Sequence, residues 1–99
     1  MKEKIFKVNG KAVDLVKCVP FTMGDWENLR TETGIEPQKI ETNEQTLKFV
    51  AWALRRGNAE ITEDDVKTIG MRIFGKLVAH IFKLDEQAQT EGLDFDFLA

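Results

Sequence analysis

The side chains of this chain able to do covalent or ligand chemistry are few, and their spacing pairs none of them. His80 is the single histidine and Cys18 the single cysteine. One of each cannot build a tetrahedral nitrogen and sulfur cage, so no structural zinc site is expected. A Cys18 nucleophile served by His80 would need a base beside the thiol, yet Cys18 falls in a strand pattern and His80 on a helical stripe. His80 reads instead as a neutral imidazole with one hydrogen bond, at the rim of an apolar helix face. Glu63, Asp64 and Asp65 offer three carboxylates to a divalent cation, but consecutive helix residues point in different directions. The same trio is explained by negative charge at the positive end of a helix dipole. Gly70 and Gly75 lie in an apolar stretch without the lysine and hydroxyl that hold nucleotide phosphates. Arg55 and Arg56, followed by a short turn and a helix from Thr62, imitate a helix-turn-helix. Three acids at the start of that second helix would repel the DNA backbone it must approach. The residue inventory therefore points away from an enzyme, and no catalytic, cofactor-binding or metal-binding residue is assigned.

The bulk properties point the same way. Ninety-nine residues with 42% hydrophobic content fit one globular domain. Fourteen Lys and Arg against 17 Asp and Glu give a net charge of −3, so no global field attracts nucleic acid or an anionic membrane. A lone cysteine forms no internal disulfide, and the N-terminal residues lack the apolar run of a secretory signal, which predicts a cytoplasmic protein. Lys67, Arg72, Lys76, His80 and Lys83 interrupt the longest apolar stretch, so no membrane span is expected.

The elements that would position any site can be read along the chain. Lys4 to Val8 and Lys11 to Val19 flank Asn9-Gly10, the dipeptide that tolerates the positive φ angles of a type I′ hairpin turn. Pairing Val8 with Lys11 and Phe6 with Val13 puts Phe6, Val8, Val13 and Leu15 on the core face. Ile5, Lys7, Asp14, Val16 and Cys18 then fall on the other face. Pro20 stops the ladder, and Thr22 caps a helix through Met23, Trp26 and Leu29 that ends at Gly34. Ile35 to Thr42, with Pro37, reads as a loop or a short helical turn. Thr42 and Gln45 form a capping-box pattern for a helix whose face is Leu47, Val50, Ala51 and Leu54, with Trp52 at the core edge, closed by Arg55-Arg56-Gly57. The fold class is α+β: an N-terminal β-hairpin followed by a bundle of three to four helices. Residues 1–85 form a single globular domain, and residues 86–99 a flexible acidic aromatic tail.

The last helix carries the main functional signal. Ile61 to Leu84 reads as one helix, capped by Thr62 with Asp65 three residues on, whose apolar residues sweep an arc of roughly 220° where an ordinary amphipathic stripe covers nearer 100°. A break at Gly70 would narrow that arc. Ile69, Ile73, Leu77 and Ile81 are expected to face the hairpin and the other helices, with Arg72, Lys76 and Lys83 on the wet side. Met71, Phe74, Val78 and Phe82 then form a spare flank that can bind another polypeptide or close a homo-oligomer. In the tail, Leu93, Phe95 and Phe97 alternate with Asp94 and Asp96. Phe95 and Phe97 are candidates either to dock on a partner or to pack back on their own domain.

Taken in order, the hairpin from Phe6 to Leu15, the Pro20–Trp26 segment, Phe49–Arg55 and Ile61–Val66 resemble the tail assembly chaperones of long-tailed bacteriophages. The likeness runs from about Ile5 to Val66. It implies a non-enzymatic protein without cofactors, working in the host cell cytoplasm. Such a protein holds the long tape-measure protein soluble and helps recruit tail-tube subunits around it. In several such phages a ribosomal frameshift yields a longer form as well. The acidic aromatic tail lies outside the pattern. A small structural virion subunit, for head-tail joining or tail completion, is the nearest alternative, and a small DNA-binding regulator a more distant one.

Overall fold

In a computed structural model, residues 2–90 are described. An antiparallel hairpin is followed by four helices, which makes the chain α+β. Strands β1 (Ile5–Val8) and β2 (Lys11–Asp14) pair as the hydrophobic alternation requires, Val8 opposite Lys11 and Phe6 opposite Val13. The turn takes positive φ at Asn9 (50°) and Gly10 (79°), the conformation that an Asn-Gly pair adopts with least strain. Val8 and Val13 are buried and Phe6 partly so, as expected for the core face.

Beyond Asp14 the expectation of a longer strand fails. The Asp14 carboxylate accepts the Val16 N–H at 3.1 Å and starts a 3-10 helix over Leu15–Cys18. This coil turns Cys18 into the core, where it is fully buried, instead of outward as strand alternation would have it.

Helices α1 (Met23–Thr33), α2 (Asn43–Arg55) and α3 (Glu63–Lys67) each begin with a reciprocal capping box, Thr22 with Asp25, Thr42 with Gln45 and Thr62 with Asp65. Gly34 ends α1 in the left-handed conformation, its N–H bonded to the Arg30 carbonyl. A 3-10 turn at Pro37–Lys39 bridges α1 to α2.

The centre of the molecule is α2. Phe49, Val50, Ala51, Trp52, Ala53 and Leu54 are all buried, so this helix is enclosed on every side, and Trp52 sits inside the core and not at its edge. Around it Phe21, Trp26, Phe49 and Trp52 form a ring cluster with centroids 5.1 to 6.2 Å apart. The C-terminal end of α2 meets the hairpin through Gly57. A Cβ there would stand 2.8 Å from the Asp14 carbonyl oxygen and 2.9 Å from Val13 Cγ1.

The expected single helix from Ile61 to Leu84 is two. The α3 helix stops at Lys67, and α4 runs Met71–Thr90, five residues beyond the expected domain boundary at Asp85. Thr68 causes the stop: its Oγ1 donates to the Asp65 carbonyl at 2.7 Å, its N–H bonds the same oxygen at 3.1 Å, and Ile69 N–H closes on Val66. Gly70, a weak helix former, follows. Leu77, Ile81 and Leu84 bury the core stripe of α4. The Asp85 carboxylate is buried too, accepting the Phe21 N–H and the Gln89 amide, each at 2.8 Å.

Asp65 does more than cap α3. Its Oδ1 accepts the Asn9 amide at 2.9 Å and its Oδ2 the Lys11 ammonium at 2.7 Å, so the hairpin turn is tied to the start of α3. These donors, Asn9 first and then Lys11 and the Thr62 N–H, hold the Asp65 carboxyl well below the usual carboxylate range.

Two outcomes are expected. Gly57→Ala should destabilise the fold by about 1–3 kcal/mol in urea titrations, because backbone and not a flexible side-chain end opposes the new methyl; an unchanged midpoint would show that the α2–hairpin contact yields. For Asp65, a depressed folded pKa means stability that is present above the ordinary carboxylate pKa of about 4 and lost as pH falls below it. Asp65→Asn should flatten the decline of the urea midpoint between roughly pH 5 and pH 2, leaving the share due to other carboxylates. Superimposable pH profiles would refute the clamp.

Candidate functional site

An open apolar groove of about 550 Å³ lies between the first turns of α2, the α3–α4 break and the N-terminal half of α4. Leu47, Val66, Ile69, Met71, Phe74 and Val78 supply its greasy surface, Gly75 opens its mouth, and Asn43, Thr46 and Lys67 stand among its lining residues. Lys67 is the one charged residue of that lining, and it lies 3.7 Å from Asp64. Such a trough recognises by shape and desolvation, the way an amphipathic helix or an extended apolar segment is received.

The expected spare flank is only partly as drawn. Met71, Phe74 and Val78 do line the groove, Met71 at 86% exposure and the other two half-buried. Phe82 stands one turn beyond it, one ring face stacked on Phe49 at 5.4 Å and 11° and the rest open at 43% exposure. Ile73 is corrected: it was expected on the core face with Ile69, Leu77 and Ile81, and it is 48% exposed. Ile73 sits on the same side of α4 as Leu77 and Ile81, one turn earlier, but the first turns of α4 after the break stand away from the core, so burial begins only at Leu77. Ile69 is partly buried and belongs to the groove wall. Phe95 and Phe97 lie outside the described residues.

Sequence reasoning missed the opposite wall. Leu47 carried a signal, since it sits on the apolar stripe of α2 one turn ahead of the enclosed run from Phe49. No local rule places that turn against Phe74, because the pairing depends on the direction α4 takes after its break.

The chemistry-bearing residues are occupied elsewhere. The Cys18 thiol donates to the Asp14 carbonyl at 3.7 Å, and burial pushes its pKa up to about 11, so it stays protonated at neutral pH. His80 is exposed on α4, and no hydrogen bond joins it to Cys18. Of the acidic trio, Asp65 turns inward to the hairpin, Asp64 approaches Lys67, and Glu63 is exposed. Among the described residues no group of three or more His, Cys, Asp or Glu stands where it could hold a metal ion, and no helix is long and apolar enough to cross a membrane.

Arg56, read as a possible phosphate contact, is engaged internally. Its Nε donates to the Cys18 carbonyl at 2.8 Å and a terminal nitrogen to the Pro20 carbonyl at 3.2 Å. The fork closes on Asp25 at 2.8 and 3.1 Å. That guanidinium, foremost, holds Asp25 below the usual carboxylate range. The α3 helix behind it is only five residues long and opens on three acids, unlike a recognition helix.

Cys18 should therefore react with a disulfide reagent at mildly alkaline pH only as fast as the protein unfolds, with the rate following urea concentration along the unfolding limb; a rapid reaction in native buffer would show a reachable thiol. No protein-family model, curated protein or solved structure matches this chain.

Proposed function

We propose that this protein is a non-enzymatic assembly chaperone of long-tailed bacteriophages that binds the tape-measure protein and helps recruit tail-tube subunits around it. The observation that carries the reading is the groove itself: a trough of about 550 Å³ with six apolar side chains and a single charged one, on a chain whose nucleophile is buried and protonated. The resemblance in the order and content of the hairpin, the Pro20–Trp26 segment and α2 supplies the identity of the client.

The physics suits a long helical client. An apolar helix face two or three turns long presents side chains at i, i+3, i+4 and i+7, which match a trough walled by Leu47 on one side and Phe74 and Val78 on the other. Binding of this kind removes client surface from water at about 25 cal/mol per Å², while Arg72, Lys76 and Lys83 keep the outer face of α4 hydrated.

The test separates binding from folding. Met71 and Gly75 lie at the mouth of the groove, exposed, and a Cβ at Gly75 meets nothing within 4 Å. The double variant Met71→Glu, Gly75→Glu should keep its unfolding free energy from urea titration within about 1 kcal/mol of the parent, yet lose at least about tenfold in capture of a co-expressed tape-measure protein. Full capture by the folded double variant would overturn the proposal, and recovery of the protein from purified virions would favour a structural subunit instead.

A further inference from the structure

Among the described residues, one edge of the hairpin is closed and the other is open. The Leu15 N–H donates to the Lys4 carbonyl at 2.8 Å, which makes Lys4 with Leu15, Phe6 with Val13 and Val8 with Lys11 the hydrogen-bonded pairs of the ladder. The main-chain groups of Ala12 and Asp14 then point outward from β2, and those of Ile5 and Lys7 outward from β1. The β2 edge is occupied: the Asn58 amide donates to the Ala12 carbonyl at 2.9 Å, and the Asp14 carbonyl accepts the Cys18 thiol and lies against Gly57. On the β1 edge both outward residues are exposed, Ile5 at 50%, and beyond the ladder no hydrogen bond among the described residues reaches their main chain.

We infer that a second copy of this chain pairs with this edge, β1 against β1 in antiparallel, about a two-fold axis that passes between Ile5 and Ile5 of the second copy. The two hairpins become one four-stranded sheet. No residue of this edge lines the apolar groove, so the inference stands apart from the client-binding reading.

The residues around Ile5 select that register. In a pair centred on Ile5, Glu3 falls opposite Lys7 of the second copy and Lys7 opposite its Glu3, on the same sheet face as the two Ile5 side chains. Continuing the alternation to Glu3, all three pairs join residues whose main-chain groups point outward, so each pair exchanges two ladder bonds. A centre at Lys4 or at Lys7 would set two lysines directly opposite each other, which is unfavourable. A centre at Phe6 would set Ile5 against Lys7, and Glu3 against Asn9, whose positive φ ends the strand and whose amide is committed to Asp65. Lysines on an edge strand ordinarily keep other strands away. Here Glu3, four residues before Lys7, turns that repulsion into complementarity in the register centred on Ile5. A two-fold contact needs only this one pattern, because each copy supplies both halves of it. On the core face, half-buried Phe6 falls opposite Lys4 of the second copy, whose methylene stem covers apolar surface while its ammonium stays wet. So short a pairing buries less than about 1,200 Å², so the dimer is a weak, reversible one.

Sedimentation equilibrium of the full chain should show a reversible dimer with a dissociation constant of about 1 to 100 μM. Glu3→Lys and Lys7→Glu should each weaken it roughly tenfold, since each sets like charges opposite twice. An equimolar mixture of the two variants should associate as tightly as the parent, because every such pair is then complementary. Solvent exchange of the Ile5 and Lys7 amides should slow several-fold as concentration rises through the same range, while the Phe6 and Val8 amides, bonded inside the hairpin, stay protected throughout. A chain still monomeric at about 1 mM, a dimer whose Ile5 and Lys7 amides exchange as freely as in the monomer, protection that survives dilution, or a mixture no tighter than its components would each overturn the inference. The second of these results would assign the dimer to another face, and the third would place a segment of the same chain on the edge. The exchange measurement uses the parent chain alone, so it decides the matter even where a variant unfolds, and no client enters it.

Discussion

The side chain of Arg56 ties three parts of the chain together by polar contacts, at the edge of the aromatic cluster that packs them. It leaves the chain at the C-cap of α2 and donates to the Cys18 and Pro20 carbonyls, which end the hairpin segment. It then closes its fork on Asp25 in the first turn of α1, while its plane lies 5.5 Å from the Phe21 ring centre and 5.4 Å from that of Trp52. Each of these donations is worth on the order of 1 kcal/mol net, but their geometry matters more than their sum. A lysine would present one point of charge and could not satisfy two carbonyls and a carboxylate from one plane. Asp25 is itself the residue that closes the α1 capping box, so helix initiation and tertiary docking share one carboxylate. The aromatic cluster is thereby sealed on the side where the Val19–Phe21 strap would otherwise lift away.

Two further polar clamps work around α2 in the same manner. Asp65 caps α3 and holds the hairpin turn, and Asp85 takes the Phe21 N–H into the core from α4. Each is a carboxylate with its donors in place, and no buried side-chain polar atom among the described residues lacks a partner. Apolar burial around α2 supplies the bulk of the stability and is indifferent to direction. The clamps choose which faces meet, because a misplaced element would leave a carboxylate buried without donors.

That division explains what could be read in the chain beforehand. The hairpin register, the three threonine caps and the Gly34 stop are local: Asn9-Gly10 needs only its own φ angles, and Thr42 needs only Gln45 three residues on. The clamps are not local, since nothing near Arg56 announces Asp25, and nothing near Asp65 announces Lys11. The apolar surplus of the last helix was legible, and so was the possibility that Gly70 ends it. The actual stop lies earlier, at Thr68, where a hydroxyl competes for the Asp65 carbonyl. That shift misplaced Ile73 and hid the wall formed by Leu47. Cys18 was misread for a related reason, since strand periodicity was carried past Asp14, whose side chain had already captured the Val16 N–H.

The groove follows from the same constraints. Asp65 fixes α3 against the hairpin at one end, and Asp85 fixes the C-terminal half of α4 against the strap at the other. Between them the chain must cross from Thr68 to Leu77 over the first turns of α2. A continuous helix would have carried Ile69 and Ile73 inward together and filled that space. Because the chain breaks instead, α4 reaches the core only from Leu77 onward, and its first two turns stand off with Phe74 and Val78 facing Leu47 across a gap. Closing the gap would require α4 to rotate or slide, and either motion would pull Asp85 from the Phe21 N–H or Phe82 from its stack on Phe49. The apolar surface is thus held open by bonds at its margins, at a cost the enclosed α2 can offset, and a polypeptide that fills it need not first deform the fold.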